Sequence, residues 1–243
     1  MLEDVEFRNP QMVENVALEI GFLPFFSNGV AGFSIEEHTP RQLWFSDEED
    51  GPWEWKGPII IQGSCAYGKF FRGKAGFVSL QWLPDLINVR RASYKMRPLK
   101  DSKEKMVYKT IVENESRLTT ELRNDCGFSS STRKAKDGLL EKALKEANGV
   151  KTPRKQKNDS LDSILSRLQM SSYICIADFE YKYDKHGKRY GWGIARYTTP
   201  ELMYGEEVLQ CPRTAEESRE RILSHLTSAF PDADKDSIAR LLF

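Results

Sequence analysis

No apolar run in the 243-residue chain approaches the roughly 20 residues that a membrane-spanning helix needs. The longest candidates, residues 20–26 and 59–61, are far shorter. The opening Met1-Leu2-Glu3-Asp4 has neither the basic start nor the apolar stretch of a secretory leader. The expectation is a cytoplasmic protein with no membrane partner. Cysteine is scarce: Cys65, Cys126, Cys175 and Cys211 are widely spaced and form no CxxC pair, which reads as free thiols in a reducing compartment. Histidine is scarcer still, and His38, His186 and His225 form no HExxH or similar cluster, so no metal site and no cofactor are expected from a local motif. Net charge is also missing, because 36 Lys and Arg balance 36 Asp and Glu.

What is present is an ordinary globular composition, 40% hydrophobic and 30% charged, with a mean hydropathy of −0.55. The charge is unevenly spread. Residues 1–56 hold 3 basic against 12 acidic residues, residues 67–100 hold 8 against 1, residues 131–157 hold 9 against 3, and residues 200–243 hold 5 against 9. A neutral total therefore leaves room for a phosphate-binding face, since local clusters set the nearby potential. The competing arrangement packs acidic and basic segments side by side, so that they cancel.

Apolar spacing at i, i+3, i+4, i+7 predicts a helix over 10–21 through Val13, Val16, Ala17 and Ile20, ended by Gly21. Thr39-Pro40-Arg41-Gln42 reads as a short helix start with Thr39 as cap. Residues 59–62, 66–71 and 76–78 have strand character, and 80–91 read as a helix that starts or breaks at Pro84. Helices follow over 103–113, with Met106, Val107, Thr110 and Ile111 inward, to Cys126 with Thr119 or Thr120 as cap, over 133–147, and over 159–170. A basic loop covers 149–158. Residues 173–183 and 189–197 read as two strands joined by the turn Asp184-Lys185-His186-Gly187. Thr199-Pro200-Glu201 opens a short helix, Thr214-Ala215-Glu216-Glu217 is a capping box, and a last helix starts near Asp234. No internal repeat is visible.

The order from 103 to 197 is helix, short extended link, helix, helix, hairpin, which is that of a winged helix. The fold expectation is an α/β (α+β) protein of winged-helix architecture, single or tandem. Its regions are 1–100 with the Trp-rich segment, 101–199 as the winged-helix unit, and 200–243 as C-terminal helices. In that class the helix before the hairpin docks in the major groove, here 159–170. Lys182, Lys185, Lys188 and Arg189 surround the hairpin turn and suit phosphate contact, although Lys-rich tips also serve solubility.

Three further segments bear on chemistry. The run from Gly68 to Lys74 matches GxxxxGK, but Ala75 lacks the hydroxyl that a Mg²⁺-nucleotide site needs, so it is not read as a P-loop. Trp53 and Trp55, if extended, point the same way and with Glu54 would line a base pocket; otherwise they are core anchors. Arg90 and Arg91 join Lys69, Arg72 and Lys74 as a candidate DNA-binding cluster, or as salt-bridge partners of the acidic N-terminal region.

Several residue groups in order resemble the AlkZ-related proteins, distant relatives of the AlkZ/YcaQ winged-helix DNA glycosylases. They are Pro52-Trp53-Glu54-Trp55-Lys56, Tyr67-Gly68-Lys69-Phe70-Phe71, Gly76-Phe77-Val78-Ser79 with Trp82-Leu83-Pro84 and Arg90-Arg91, Leu168-Gln169-Met170, and Tyr190-Gly191-Trp192. The resemblance implies tandem winged helices, duplex DNA as partner, a role in DNA repair, and a Gln-centred catalytic motif after the first helix. In this chain that stretch is Gly21-Phe22-Leu23-Pro24-Phe25-Phe26, where Pro24 and Phe26 replace the polar groups that would orient water. No catalytic residue is assigned, and Asn28, Glu36 and Glu54 are the nearby polar substitutes. The expected function is winged-helix DNA binding, with catalysis left open. Excision of alkylated bases and a protein-interaction module stand as the alternatives.

Overall fold

The computed structural model describes residues 2, 5–46, 48–94, 102–128, 159–187 and 189–243, with the backbone alone for residues 189, 190 and 192. The expected helix over 133–147, the basic loop after it and Lys188 lie outside the described residues.

Helix α1 (Pro10–Ile20) starts where the Asn9 side chain accepts from the Met12 amide, with Pro10 at its first position, and stops at Gly21. Gly21 has φ +84°, and a Cβ there would sit 2.2 Å from Cδ1 of Trp82, so both backbone and space exclude a side chain. Strand β1 (Phe22–Pro24) and two 3₁₀ turns, Glu36–His38 and Arg41–Trp44, lead into α2 (Pro52–Gln62). Strands β2 (Cys65–Phe71) and β3 (Lys74–Ser79) form a hairpin, followed by α3 (Leu83–Ser93). Then come α4 (Lys103–Glu113), β4 (Arg117–Leu118), α5 (Thr119–Asp125), α6 (Leu161–Met170), and the hairpin β5 (Cys175–Tyr183) and β6 (Arg189–Thr198). Helices α7 (Pro200–Tyr204), α8 (Ala215–Ala229) and α9 (Lys235–Leu242) complete the chain. The divisions expected at 100 and 200 fall between α3 and α4 and at the start of α7.

Four expectations are corrected. Residues 59–62 are the end of α2, not a strand, because Pro52 and the Glu54 carboxylate, which accepts from the Gly51 amide, start a helix whose Trp55, Ile59 and Ile60 are buried. Neither Thr39 nor Thr119 or Thr120 is a cap: the Thr39 hydroxyl donates back to the Ile35 carbonyl, and α5 starts after Leu118, whose amide donates to the Glu121 carboxylate. Met106 faces outward on α4 while Val107 and Ile111 fill the core.

The fold is α+β, and every strand pairing is antiparallel. One six-stranded sheet runs β1-β3-β2-β5-β6-β4. Its two halves repeat one topology. Helix α1, strand β1, a 3₁₀ turn, α2 and the hairpin β2–β3 give the order β1-β3-β2. Helix α4, strand β4, α5, α6 and the hairpin β5–β6 give β4-β6-β5. The halves meet hairpin to hairpin, with Tyr67 of β2 opposite Ile176 of β5. Antiparallel pairing of two equivalent strands is what a two-fold relation between the halves produces.

Helix α8 is fastened to α3 by charge. Asp85 on α3 is fully buried and accepts two bonds from Arg213, at 2.7 and 3.0 Å, one from the Ser218 hydroxyl at 2.8 Å, and one from Arg221. Arg221 also lies over the Trp82 ring, which stacks on His225 at 4.3 Å. Burial alone would push the Asp85 carboxyl up, but the bonds from Arg213 and Ser218 and the charge of Arg221 outweigh it and hold it below the usual range. A depressed carboxylate stabilises the fold above its unfolded pKa, and that stability is lost as pH falls through the folded value. Asp85→Asn should cost about 1–3 kcal/mol at neutral pH, through the charge-assisted bonds lost to the partly exposed Arg213 and Arg221. The thermal-melt gap to the parent should narrow as pH drops below about 4; a gap independent of pH would contradict this role.

Candidate nucleic-acid interface

The hairpin β5–β6 reaches beyond the sheet that carries it. Strand β2 pairs with β5 at Ile176, and β4 pairs with β6 at Arg196 and Tyr197, so from Glu180 to Ile194 the two strands pair with each other. The tip is built by its own residues. The Asp184 carboxylate accepts from the His186 amide at 2.8 Å, the Asp184 carbonyl accepts from the Gly187 amide at 3.0 Å, and Gly187 takes φ +76°. At the hairpin base Arg196 pairs with Glu180. At the tip Lys182 and Lys185 are exposed, and neither forms an ion pair among the described residues. Arg189 opens β6 opposite Tyr183.

One face of this hairpin is aromatic. Phe179 lies opposite Ala195, and a Cβ on Gly193 would come within 2.8 Å of the Tyr181 ring, so small residues on β6 leave room for rings from β5. Phe179 packs near Tyr67 and under Lys56 Nζ, 4.2 Å from its ring centre. Tyr183, 62% exposed, carries the series to the tip. Sequence reading found the lysines but missed this stripe. Its signal is aromatics at i, i+2 and i+4 in Phe179, Tyr181 and Tyr183.

The other candidate cations sit elsewhere. Because β2 and β5 are antiparallel, the β2–β3 turn and the β5–β6 turn point in opposite directions. At 3.3 Å per residue, Phe71 and Tyr183 lie roughly 35 Å apart along the sheet. Lys69, Arg72 and Lys74 are thus at the end opposite Lys185 and Arg189. Lys69 Nζ donates to the Ser166 hydroxyl and Lys74 Nζ to the Ser27 carbonyl, both at 3.0 Å. Arg72 is exposed at the turn. Arg90 is 7% exposed and Arg91 is tied to Glu201, the Ser172 carbonyl and the Tyr173 ring, so neither presents a guanidinium to a duplex surface. The run from Gly68 to Lys74 is a hairpin with a two-residue bend, not a phosphate loop before a helix.

Helix α6, which sequence order placed in the groove-reading position, is held by the other half. Ser166 receives Lys69, and buried Gln169 accepts from the Lys69 amide at 3.1 Å and donates to the Leu165 carbonyl. Arg167 is shared between Asp159 and buried Glu104. That explains the Leu168-Gln169-Met170 signature as a junction between halves.

The Trp-rich segment forms a helix, which sends its two indoles to different sides. Trp55 is core, its Nε1 donating to the Asp50 carbonyl at 2.8 Å. Trp53 is half-buried in a cluster with Phe25, Phe26 and Trp44, ring centres 5.2–6.2 Å apart, with Lys56 above it. This cluster backs β1, and Pro24 and Phe25 are buried within it or beside it. The three nearby polar substitutes are spent on the backbone. Asn28 bridges the Phe33 carbonyl and the Val30 amide, Glu36 accepts from the Ser27 amide and hydroxyl, and Glu54 accepts from the Gly51 amide.

Among the described residues no three His, Cys, Asp or Glu side chains gather as metal ligands, and no helix is long and apolar enough to cross a membrane. Comparison with curated proteins returns no match. Among solved structures the chain is similar to the Streptomyces sahachiroi DNA glycosylase AlkZ, at 10% identity and a TM-score of 0.47, over 94% of this chain and 53% of that one. The chain thus spans about half the length of that enzyme. The family model described as AlkZ related matches residues 7–243. This chain belongs to the AlkZ-related family.

Proposed function

We propose that this protein binds duplex DNA as a tandem winged-helix protein, with the β5–β6 hairpin as the wing that meets the phosphates. The observation that carries this reading is the projecting tip, where Lys182 and Lys185 stand exposed with no carboxylate drawing on them among the described residues. Lys188 and Arg189, at the same turn in sequence, extend the cation set. Each lysine that neutralises a phosphate releases condensed counterions, so binding should be strongly salt-dependent. Tyr183 places a ring beside these charges, suited to packing on sugar or base edges. The repeated helix–strand–helix–hairpin topology supports the winged-helix assignment, and AlkZ-related membership supports DNA as ligand and repair as context. Four free cysteines, three of them buried, fit a reducing cytoplasm.

Base excision through the stretch after α1 is not part of this reading. Water attack on a glycosidic bond needs a polar group to orient it, and residues 21–26 offer buried backbone and phenyl rings.

Two outcomes follow. In fluorescence anisotropy with a labelled duplex, Lys182→Glu with Lys185→Glu should weaken binding and reduce the log–log salt slope by about 2. Absence of salt-dependent binding by the parent, or a variant with an unchanged slope, would overturn the wing assignment. Incubation with alkylated duplex should release no base above the buffer control; abasic sites that scale with protein concentration would restore the glycosylase alternative.

A further inference from the structure

We propose that a cavity at the opposite end of the molecule from the wing binds a small organic oxyanion, a phosphate or carboxylate carried on an apolar body. The cavity, of about 640 Å³, lies between the β2–β3 turn, α3, α6 and α9. That size falls within the usual range for small-molecule sites.

Its charge is one-sided. Among the described residues Arg72, Arg90, Arg167 and Arg240 line it, and no acidic side chain does. Arg167 and Arg240 have carboxylate partners in Asp159 and Asp234. Arg72 and Arg90 have none among the described residues. Arg90 is the more telling, because a buried guanidinium is normally paired with a carboxylate. Here it donates to neutral oxygens only: the Leu242 carbonyl from Nε at 3.2 Å and from Nη2 at 2.9 Å, the Phe70 carbonyl, and the Ser172 hydroxyl. Those bonds use four of its five hydrogens and leave one on Nη1. Burial pushes the Arg90 guanidinium down to about 9, so it keeps its charge at neutral pH without a counter-ion.

The mouth carries a second, independent sign. Phe71 pairs with Lys74, so Arg72-Gly73 is a two-residue hairpin turn, and both residues have positive φ, +50° and +78°. Such a turn favours Asn, Asp or Gly at its first position, and a long side chain there is held against its backbone preference. The departure falls on the one turn residue whose side chain can reach the cavity, and local rules are broken most often at functional positions.

The walls specify the rest of the ligand. Met170 and Phe243, both exposed, with Val89 and Leu241 behind them, give the cavity an apolar surface that a bare ion would leave unused. Tyr94 closes one side with its hydroxyl already donated to Glu104 at 2.6 Å, so it offers a wall and no proton. The arrangement fits an oxyanion against Arg90 and Arg72 with its apolar body against these side chains.

Titration of the full chain with phenyl phosphate, followed by calorimetry and by the Met170 methyl resonance, tests this. Saturable binding with a Met170 shift is expected, and inorganic phosphate and benzyl alcohol should each bind more weakly. Arg72→Asn installs the residue that the turn prefers, so the fold should be kept or strengthened while affinity for phenyl phosphate falls about tenfold. No Met170 shift up to about 10 mM phenyl phosphate would overturn the proposal. So would unchanged affinity in Arg72→Asn, or benzyl alcohol binding as tightly as phenyl phosphate. Inorganic phosphate binding as tightly would overturn the apolar part of the ligand class.

Discussion

The antiparallel pairing of β2 with β5, at Tyr67 and Ile176, decides where every other feature lies. It joins two copies of one topology into a single sheet, hairpin to hairpin and pointing opposite ways. Tyr67 is buried there among Phe25, Phe77 and Phe179, which come from β1's exit, β3 and β5, so the junction is also the centre of the aromatic core. Burial pushes its hydroxyl well above the ordinary tyrosine range. Because the strands run in opposite directions, the two hairpin turns face away from each other, and the two proposed sites lie at opposite ends.

That division sorts the cations by use. At the β5–β6 end Lys182 and Lys185 stand in solvent, the placement that the proposed attraction to a polyanion needs. At the other end arginines are drawn inside, where a planar guanidinium can satisfy several oxygens at once. Arg90 takes carbonyls, Arg91 takes Glu201 and the Ser172 carbonyl, and Arg213 and Arg221 take Asp85. Of the basic residues described within 67–100, Lys69, Lys74, Arg90 and Arg91 are therefore held by the protein's own oxygens.

The sequence was legible where structure is decided locally. Thr214 and Asp234 mark helix starts because each side chain bonds an amide three residues on. The turn at Gly187 and the strands around it follow from the same short-range chemistry. Residues 59–62 misled because Ile59, Ile60 and Ile61 favour strands in isolation, while the Gly51–Glu54 start and the burial of Trp55 impose a helix. The duplication left no trace because β1 reads Phe-Leu-Pro and β4 reads Arg-Leu, and a 3₁₀ turn at Arg41–Trp44 stands where the second half has α5. The split between Lys185 and Arg72 was hidden for a different reason: strand direction across the β2–β5 junction is a long-range fact.

A distance between the two turns tests this architecture most directly. Spin labels at Lys74→Cys and Lys185→Cys, in a Cys211→Ser background that leaves the buried thiols unlabelled, report it by pulsed electron resonance. The account predicts a single distribution centred at about 30–40 Å, set by strand rise along β2 and β5. A distribution centred below about 20 Å would mean that the strand rise is directed the same way in both hairpins, and would contradict the arrangement from which both proposed sites are derived.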